Sequence, residues 1–261
     1  MHSISEVLVI LDWQFSPPDY FEESISILRD DYTMVIEDGK VKATITATNF
    51  DANALMRDTL HEALNDRFLG VQLLSHRPYE LSKPRVIKLH PDGHKDYFIE
   101  LEGAQITLTG GTADIRVTDQ LGNVTSDSKR DRIEKKKSLG ELVSAFRSSD
   151  SVLSALLSSQ GTAVRDPDNE LVHLYEIRER LSKQFGGELA AKLALGIAPS
   201  AWSRIGQLCN YEALRQGRHR GKCVGGLRDA TDAELMEARG IARSMIESYL
   251  QHLERLKGTV A

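Results

Sequence analysis

The chain is poor in cysteine. Only Cys209 and Cys223 occur in 261 residues. That number supplies neither a disulfide framework nor a four-cysteine zinc site, and it fits a reducing, cytoplasmic compartment. No apolar run approaches the roughly 18 to 20 residues needed to span a bilayer, so no membrane contact is expected. The start, Met-His-Ser-Ile-Ser-Glu, lacks the charged segment and long apolar core of a secretory leader. A phosphate-binding loop of the Gly-Lys-Ser/Thr type, the Rossmann glycine fingerprint and a Gly-x-Ser-x-Gly elbow are also missing. These absences argue against ATP, NAD and serine-hydrolase chemistry, and no cofactor is expected. Positive charge is not in excess either. The formal net charge is -5, so any contact with nucleic acid must be local. There is no internal repeat and no low-complexity tract.

What is present divides into two parts. Up to about residue 118 the chain favours strands. Val41, Ala43, Ile45 and Ala47 alternate with Lys42, Thr44, Thr46 and Thr48, the period of a half-buried strand. Thr33 to Glu37 precedes it across Asp38-Gly39, a two-residue hairpin signal. Further strands are expected at Glu6 to Trp13, Arg85 to Leu89, Tyr97 to Leu101, Gln105 to Thr109 and Ala113 to Thr118. One helix interrupts them. Met56, Leu60, Ala63, Leu64 and Phe68 share a face between Asp51 and Leu69, with Gly70 as the stop.

After the polar stretch Asp119 to Ser128 the strand signals cease. Helices are expected over about 128–147, 151–159, 167–185, 187–195, 199–215 and 231–257. In the third, Leu171, Leu174, Leu181 and Phe185 form a stripe that Gly186-Gly187 ends. In the last, Leu235, Ala238, Ala242, Met245, Ile246, Tyr249, Leu253 and Leu256 keep the 3.6-residue period behind the capping box Thr231-Asp-Ala-Glu234. The expected class is α+β. An antiparallel β-rich domain with one helix, over 1–125, senses or docks. An all-α helical bundle follows over 126–261.

The densest chemistry lies between Asn210 and Lys222. Arg215, Arg218, His219, Arg220 and Lys222 fall within eight residues of an acidic protein. Guanidinium forks match phosphate oxygens, and an imidazole can take and return a proton. Metal-free RNA cleavage needs both functions. His219 and Arg215 are therefore the candidate catalytic pair. Arg218, Arg220, Lys222, Gln216 and Asn210 are candidates for holding phosphate. Gly217 and Gly221 would let backbone approach a ligand. The alternative is a helix end whose basic residues favour the negative pole of the macrodipole, with Gly217 as the cap.

An all-α domain with an Arg and a His close together just before its last long helix resembles the HEPN superfamily, here over about residues 128 to 257. Arg215-Gln216 followed by His219 is similar to that family's Arg/His motif, although three residues rather than four to six separate the pair. The resemblance implies a metal-independent endoribonuclease of prokaryotic toxin or defence type. It also implies RNA as substrate and a homodimer that joins two Arg/His pairs. The competing class is a non-catalytic interaction protein whose bundle dimerises or docks a partner through the same loop.

Other features have plainer readings. Glu176 or Arg178 would orient His219 if turned inward, but both read rather as solvated face residues, with Glu179 pairing to Lys183. His90, His94 and Asp96 around Pro91-Asp92-Gly93 read as a polar turn rather than a zinc site. Cys209, His219 and Cys223 lack a fourth ligand, so no metal is expected. The aromatics of Asp12 to Phe21 read as core, with base stacking as the alternative. Lys129 to Lys137, broken by Asp131 and Glu134, reads as a salt-bridged helix start.

Overall fold

In β1 (Leu8–Ser16), Val9, Leu11, Trp13 and Phe15 alternate onto one buried face. Met34 and Ile36 do the same in β3 (Tyr32–Glu37), and Val41, Ala43 and Ile45 in β4 (Lys40–Thr46). The computed structural model describes residues 6–98, 114, 116–118, 124–218 and 226–260. Among them, β2 (Ile25–Leu28), β6 (Arg85–Leu89) and β7 (Lys95–Phe98) complete an antiparallel sheet of order β2-β3-β4-β1-β6-β7. The short β5 (Glu80–Leu81) pairs with the end of β1. Asp38 and Gly39 close the β3–β4 hairpin at φ +44° and +76°, the left-handed pair that a two-residue turn requires.

The expected strand through Thr48 ends at Thr46, whose hydroxyl accepts the Asn49 N–H and caps α1 (Ala47–Ala52). The long helix is α2 (Met56–Ser75). Met56, Leu60, Leu64, Phe68 and Val71 join the sheet core. Gly70 does not stop this helix. A mid-helix glycine costs only about 1 kcal/mol against alanine, and burial of Val71, Gln72 and Leu73 outweighs it. The helix ends at His76, which takes φ +50° while its N–H donates to Gln72 O. The aromatics of the Asp12–Phe21 stretch are core. Phe15, Tyr20 and Phe21 pack on Phe68 with ring centroids 4.8 to 5.2 Å away. Trp13 is fully enclosed and donates to His61 Nδ1 at 3.1 Å.

Of the later strands, Gln105 to Thr109 lies outside the described residues. β8 (Arg116–Thr118) pairs with β9 (Val124–Asp127), which the sequence did not announce. Helices follow: α3 (Ser128–Phe146), α4 (Ser151–Arg165), a 3₁₀ turn (Pro167–Asn169), α5 (Glu170–Gln184), α6 (Glu188–Leu195), α7 (Pro199–Gly206) and α8 (Asp232–Val260). The class is α+β, an antiparallel sheet region with its long helix and then a helical region. α5 is the hub of the helical part, touching α4, α6, α7 and α8. On α8, Ala238, Ala242, Met245, Ile246 and Tyr249 are buried as expected. Leu235 and Leu253 are half-buried and Leu256 is exposed. None of the helices among the described residues is long and apolar enough to cross a membrane.

The chain packs as two compact units, residues 1–71 with 79–137 and residues 72–78 with 138–261. The boundary expected between residues 125 and 126 falls inside β9. The first half of α3 belongs with the sheet unit because Arg132 and Lys136 both pair with Glu22, and Arg132 also reaches Asp114. The Arg132 hydrogen bond, aided by Lys136 against the opposing effect of burial, holds the Glu22 carboxyl down at about 2. Arg130 and Glu134 pair one turn apart. The basic run is thus a salt-bridged helix start.

Candidate functional site

The basic loop starts where α7 ends. Trp202 and Ile205 bury one side of α7, and the chain then widens into a π turn at Gln207–Tyr211, enclosing Leu208 and Cys209. Such turns are frequent at functional sites. Glu212 leaves in extended conformation with its N–H on Gln207 O at 3.0 Å. The helix expected to reach Arg215 therefore ends at Tyr211, and Gly217 is not its cap. Gly217 instead turns the chain back. A Cβ there would lie 3.1 Å from Leu214 O and 3.3 Å from Cys209 O.

Both stems of the loop are fixed. Leu214 and Arg228 form a parallel bridge, with Arg215 N–H on Arg228 O at 2.9 Å and Arg228 N–H on Ala213 O at 3.0 Å. Gln216 Oε1 accepts the Ala230 N–H at 3.0 Å, and Arg218 N–H donates to Cys209 O at 2.8 Å. Gln216 is thus a brace between the stems. His219, Arg220 and Lys222 lie outside the described residues, as does Cys223.

Arg215 is exposed, 3.7 Å from Asp229. Arg218 pairs with Glu179, and its guanidinium lies 5.1 Å from the Tyr175 ring centroid. Asn210 is half-buried in the π turn, with an enclosed Oδ1 that has no hydrogen-bond partner among the described residues. The structure brings Arg218 onto α5, whereas Arg215 stays with the loop stem.

Sequence reasoning missed the floor beneath Arg218. The Arg178 guanidinium lies 5.3 Å from the Tyr175 ring centroid and 5.2 Å from that of Trp202. It donates to the Tyr175 hydroxyl at 2.8 Å and to Glu188 at 3.0 Å. Arg178 is neither a solvated residue nor free to swing. Tyr175, Arg178 and Glu179 sit at i, i+3 and i+4, a legible face, but nothing local announced Trp202 or Arg218 as its partners. Glu179 was expected to pair with Lys183 and pairs with Arg218 instead. Beside it, Ala155 and Ser159 of α4 and Glu176, Glu179, Arg180 and Lys183 of α5 line a groove of about 290 Å³.

A second polar cluster is buried. Glu170 is 1 % exposed and receives Arg239 on both oxygens and His76 Nε2 at 3.2 Å. His76 Nδ1 lies 3.1 Å from Gln160 Nε2. Burial pushes the Glu170 carboxyl up, but the Arg239 and His76 hydrogen bonds together overcome it and leave the group below its ordinary value.

Metal chemistry gains no support among the described residues. Burial, only partly offset by Arg178, pushes the Cys209 thiol up to about 12. His90 and His94 both turn onto Asp96, at 2.9 and 3.2 Å, a closed polar turn. Among the described residues, no group of His, Cys, Asp and Glu side chains is arranged to hold a metal ion. The arrangement around the loop suits one chemistry best, the binding of an anion by guanidinium groups set over aromatic rings. The chain matches no known family model, no curated protein and no solved structure, so the HEPN resemblance rests on its sequence pattern alone.

Proposed function

We propose that this chain binds RNA through the loop from Arg215 to Lys222. The observation that carries the reading is a loop clamped at both stems whose sequence, between the bridge residues Leu214 and Arg228, carries four cations (Arg215, Arg218, Arg220 and Lys222) and no carboxylate, in a chain of net charge -5. Fixed stems confine the cationic residues between them to one place, which favours a local polyanion contact. Arg215 and Arg218 hold phosphates, with Arg220 and Lys222 extending the contact. In the catalytic form of this reading, as in a toxin or defence endoribonuclease, His219 moves the proton and no metal is used.

Anisotropy of a labelled single-stranded RNA tests it. Affinity falls with salt, and each lost phosphate contact flattens the log-log slope by about 0.7. Arg215→Ala weakens all sequences alike. Equal binding at low salt by wild type and Arg215→Ala/Arg218→Ala removes RNA from the reading. Cleavage in EDTA that disappears in His219→Ala supports the catalytic form.

A second reading, self-association without catalysis, is favoured by Leu189 and Leu193. They lie one turn apart on α6, 68 % and 75 % exposed. Leu189→Lys/Leu193→Lys then abolishes a dimer in sedimentation while RNA binding persists. A wild type that is monomeric at high concentration eliminates it.

A further inference from the structure

Glu176, Glu179, Arg180 and Lys183 follow the stripe spacing of one helix face, and they form the α5 wall of the groove. At about 290 Å³ the groove is near the lower end of the roughly 300–1,000 Å³ typical of small-ligand clefts. Glu176 is engaged, because Ser159 Oγ donates to it at 2.9 Å and His173 Nδ1 lies 3.8 Å away. Arg180 and Lys183 are exposed and make no ion pair among the described residues. The remaining carboxylate, Glu179, is held by Arg218 from the basic loop. Loop and groove therefore share one side-chain pair.

Arg218 has a carboxylate on its donor edge and the Tyr175 ring against its face. A nucleotide presents the same two surfaces, a phosphate for the fork and a base for an aromatic plane. The geometry points to a nucleotide subsite of single-stranded RNA at the Arg218–Glu179 pair, with the phosphate at the groove and the base on the adjacent Tyr175 ring, which is 8 % exposed while Arg218 lies against it. Phosphate displaces Glu179 from Arg218 and is held also by Arg180 and Lys183. The adjoining base stacks on the Tyr175 ring that Arg218 uncovers. This inference rests on the RNA reading of the loop and adds where the strand runs.

Two features favour the exchange. Tyr175 is already oriented, since its hydroxyl accepts from Arg178, itself set against Trp202 and tied to Glu188. A ring fixed beforehand loses little freedom on binding. Arg178 and Arg218 both lie against this ring, so Arg178 keeps a cation on it when Arg218 departs. Glu179 then acts as an internal competitor that occupies the fork until a phosphate arrives.

The experiment uses the full chain, a labelled oligoribonucleotide and inorganic polyphosphate as the base-free rival. Glu179→Gln frees Arg218 and tightens RNA binding by about two- to five-fold, the size of an exposed ion pair. Arg180→Ala/Lys183→Ala weakens binding and flattens the salt slope by about 1.4, two contacts' worth. Tyr175→Phe keeps the preference for RNA over polyphosphate, whereas Tyr175→Leu reduces it by about ten-fold. Arg180 and Lys183 are exposed, so that arm stands even if Tyr175→Leu disturbs the fold. If Arg215→Ala weakens RNA but Arg180→Ala/Lys183→Ala does not, the groove inference is overturned while the loop reading survives. Equal affinity of wild type for RNA and polyphosphate overturns the base subsite. No effect of Arg215→Ala/Arg218→Ala overturns loop and groove together.

Discussion

At the residue scale, carboxylates decide the behaviour in acid. Glu22 accepts from Arg132 and Lys136, and its folded value of about 2 lies below the ordinary 4.5. A depressed carboxylate contributes stability that is fully present above its unfolded value and is lost as pH falls through the folded one. The difference in urea unfolding between wild type and Glu22→Gln should therefore be largest at neutral pH and shrink between about 4.5 and 2. A difference independent of pH would show that packing, not charge, holds this corner. Glu170 makes a sharper case because it is enclosed. Removing one partner of a buried ion pair strands the other, so Arg239→Ala should cost about 3–5 kcal/mol. Arg239→Met/Glu170→Leu should cost less, measured by the same unfolding curves. Neither cluster was legible beforehand. Glu22 and Arg132 are 110 residues apart, and a sequence window sees each only as a solvated charge. Arg218 stood out in the sequence as a candidate for holding phosphate, but its ring and its carboxylate were not legible.

At the scale of elements, the signals that held were those whose physics is local. Asp38-Gly39 made its hairpin because only two residues need left-handed backbone. Thr231 and Glu234 made their reciprocal cap. The Thr231 N–H donates to Glu234 at 2.9 Å, and the Glu234 N–H donates to Thr231 Oγ1 at 3.3 Å. Arg228 grips the same Glu234, so one carboxylate joins the start of α8 to a stem of the basic loop. Thr231→Ala should cost about 1 kcal/mol of stability, read as a lowered thermal midpoint. If the chain binds RNA as proposed, affinity should stay within two-fold, about 0.4 kcal/mol, while the Arg228 clamp persists. A large loss of binding with intact thermal stability would place Thr231 in the contact itself. The signals that failed were element ends. Gly70 looked like a stop, yet burial further along drew α2 onward to Ser75. The apolar pattern before Arg215 looked like continuing α-helix, yet a π turn at Gln207–Tyr211 intervened. At Gly70 tertiary packing outweighed a propensity of about 1 kcal/mol.

At the scale of the whole molecule, sequence order and compactness part company. The composition change near residue 120 lies just before β9, after which the described elements are helices, but residues 72–78 pack with the helical unit. No composition could show this, because it rests on tertiary contacts, among them the side chain of His76 reaching Glu170 and Gln160. The consequence is testable without cutting the chain. His76→Gly removes the imidazole while relieving the left-handed backbone at φ +50°, so strain does not confuse the result. The buried Glu170 then loses one of its two partners and Gln160 loses its neighbour, which costs on the order of 1–3 kcal/mol. Hydrogen exchange should show this loss in amides of α4, α5 and α8, whose side chains supply Gln160, Glu170 and Arg239. Protection in β1 and β4, the centre of the sheet core, should hold. Equal loss in β1 and β4, or none in the helices, would mean that His76 does not serve the helical unit and that the chain unfolds as one body.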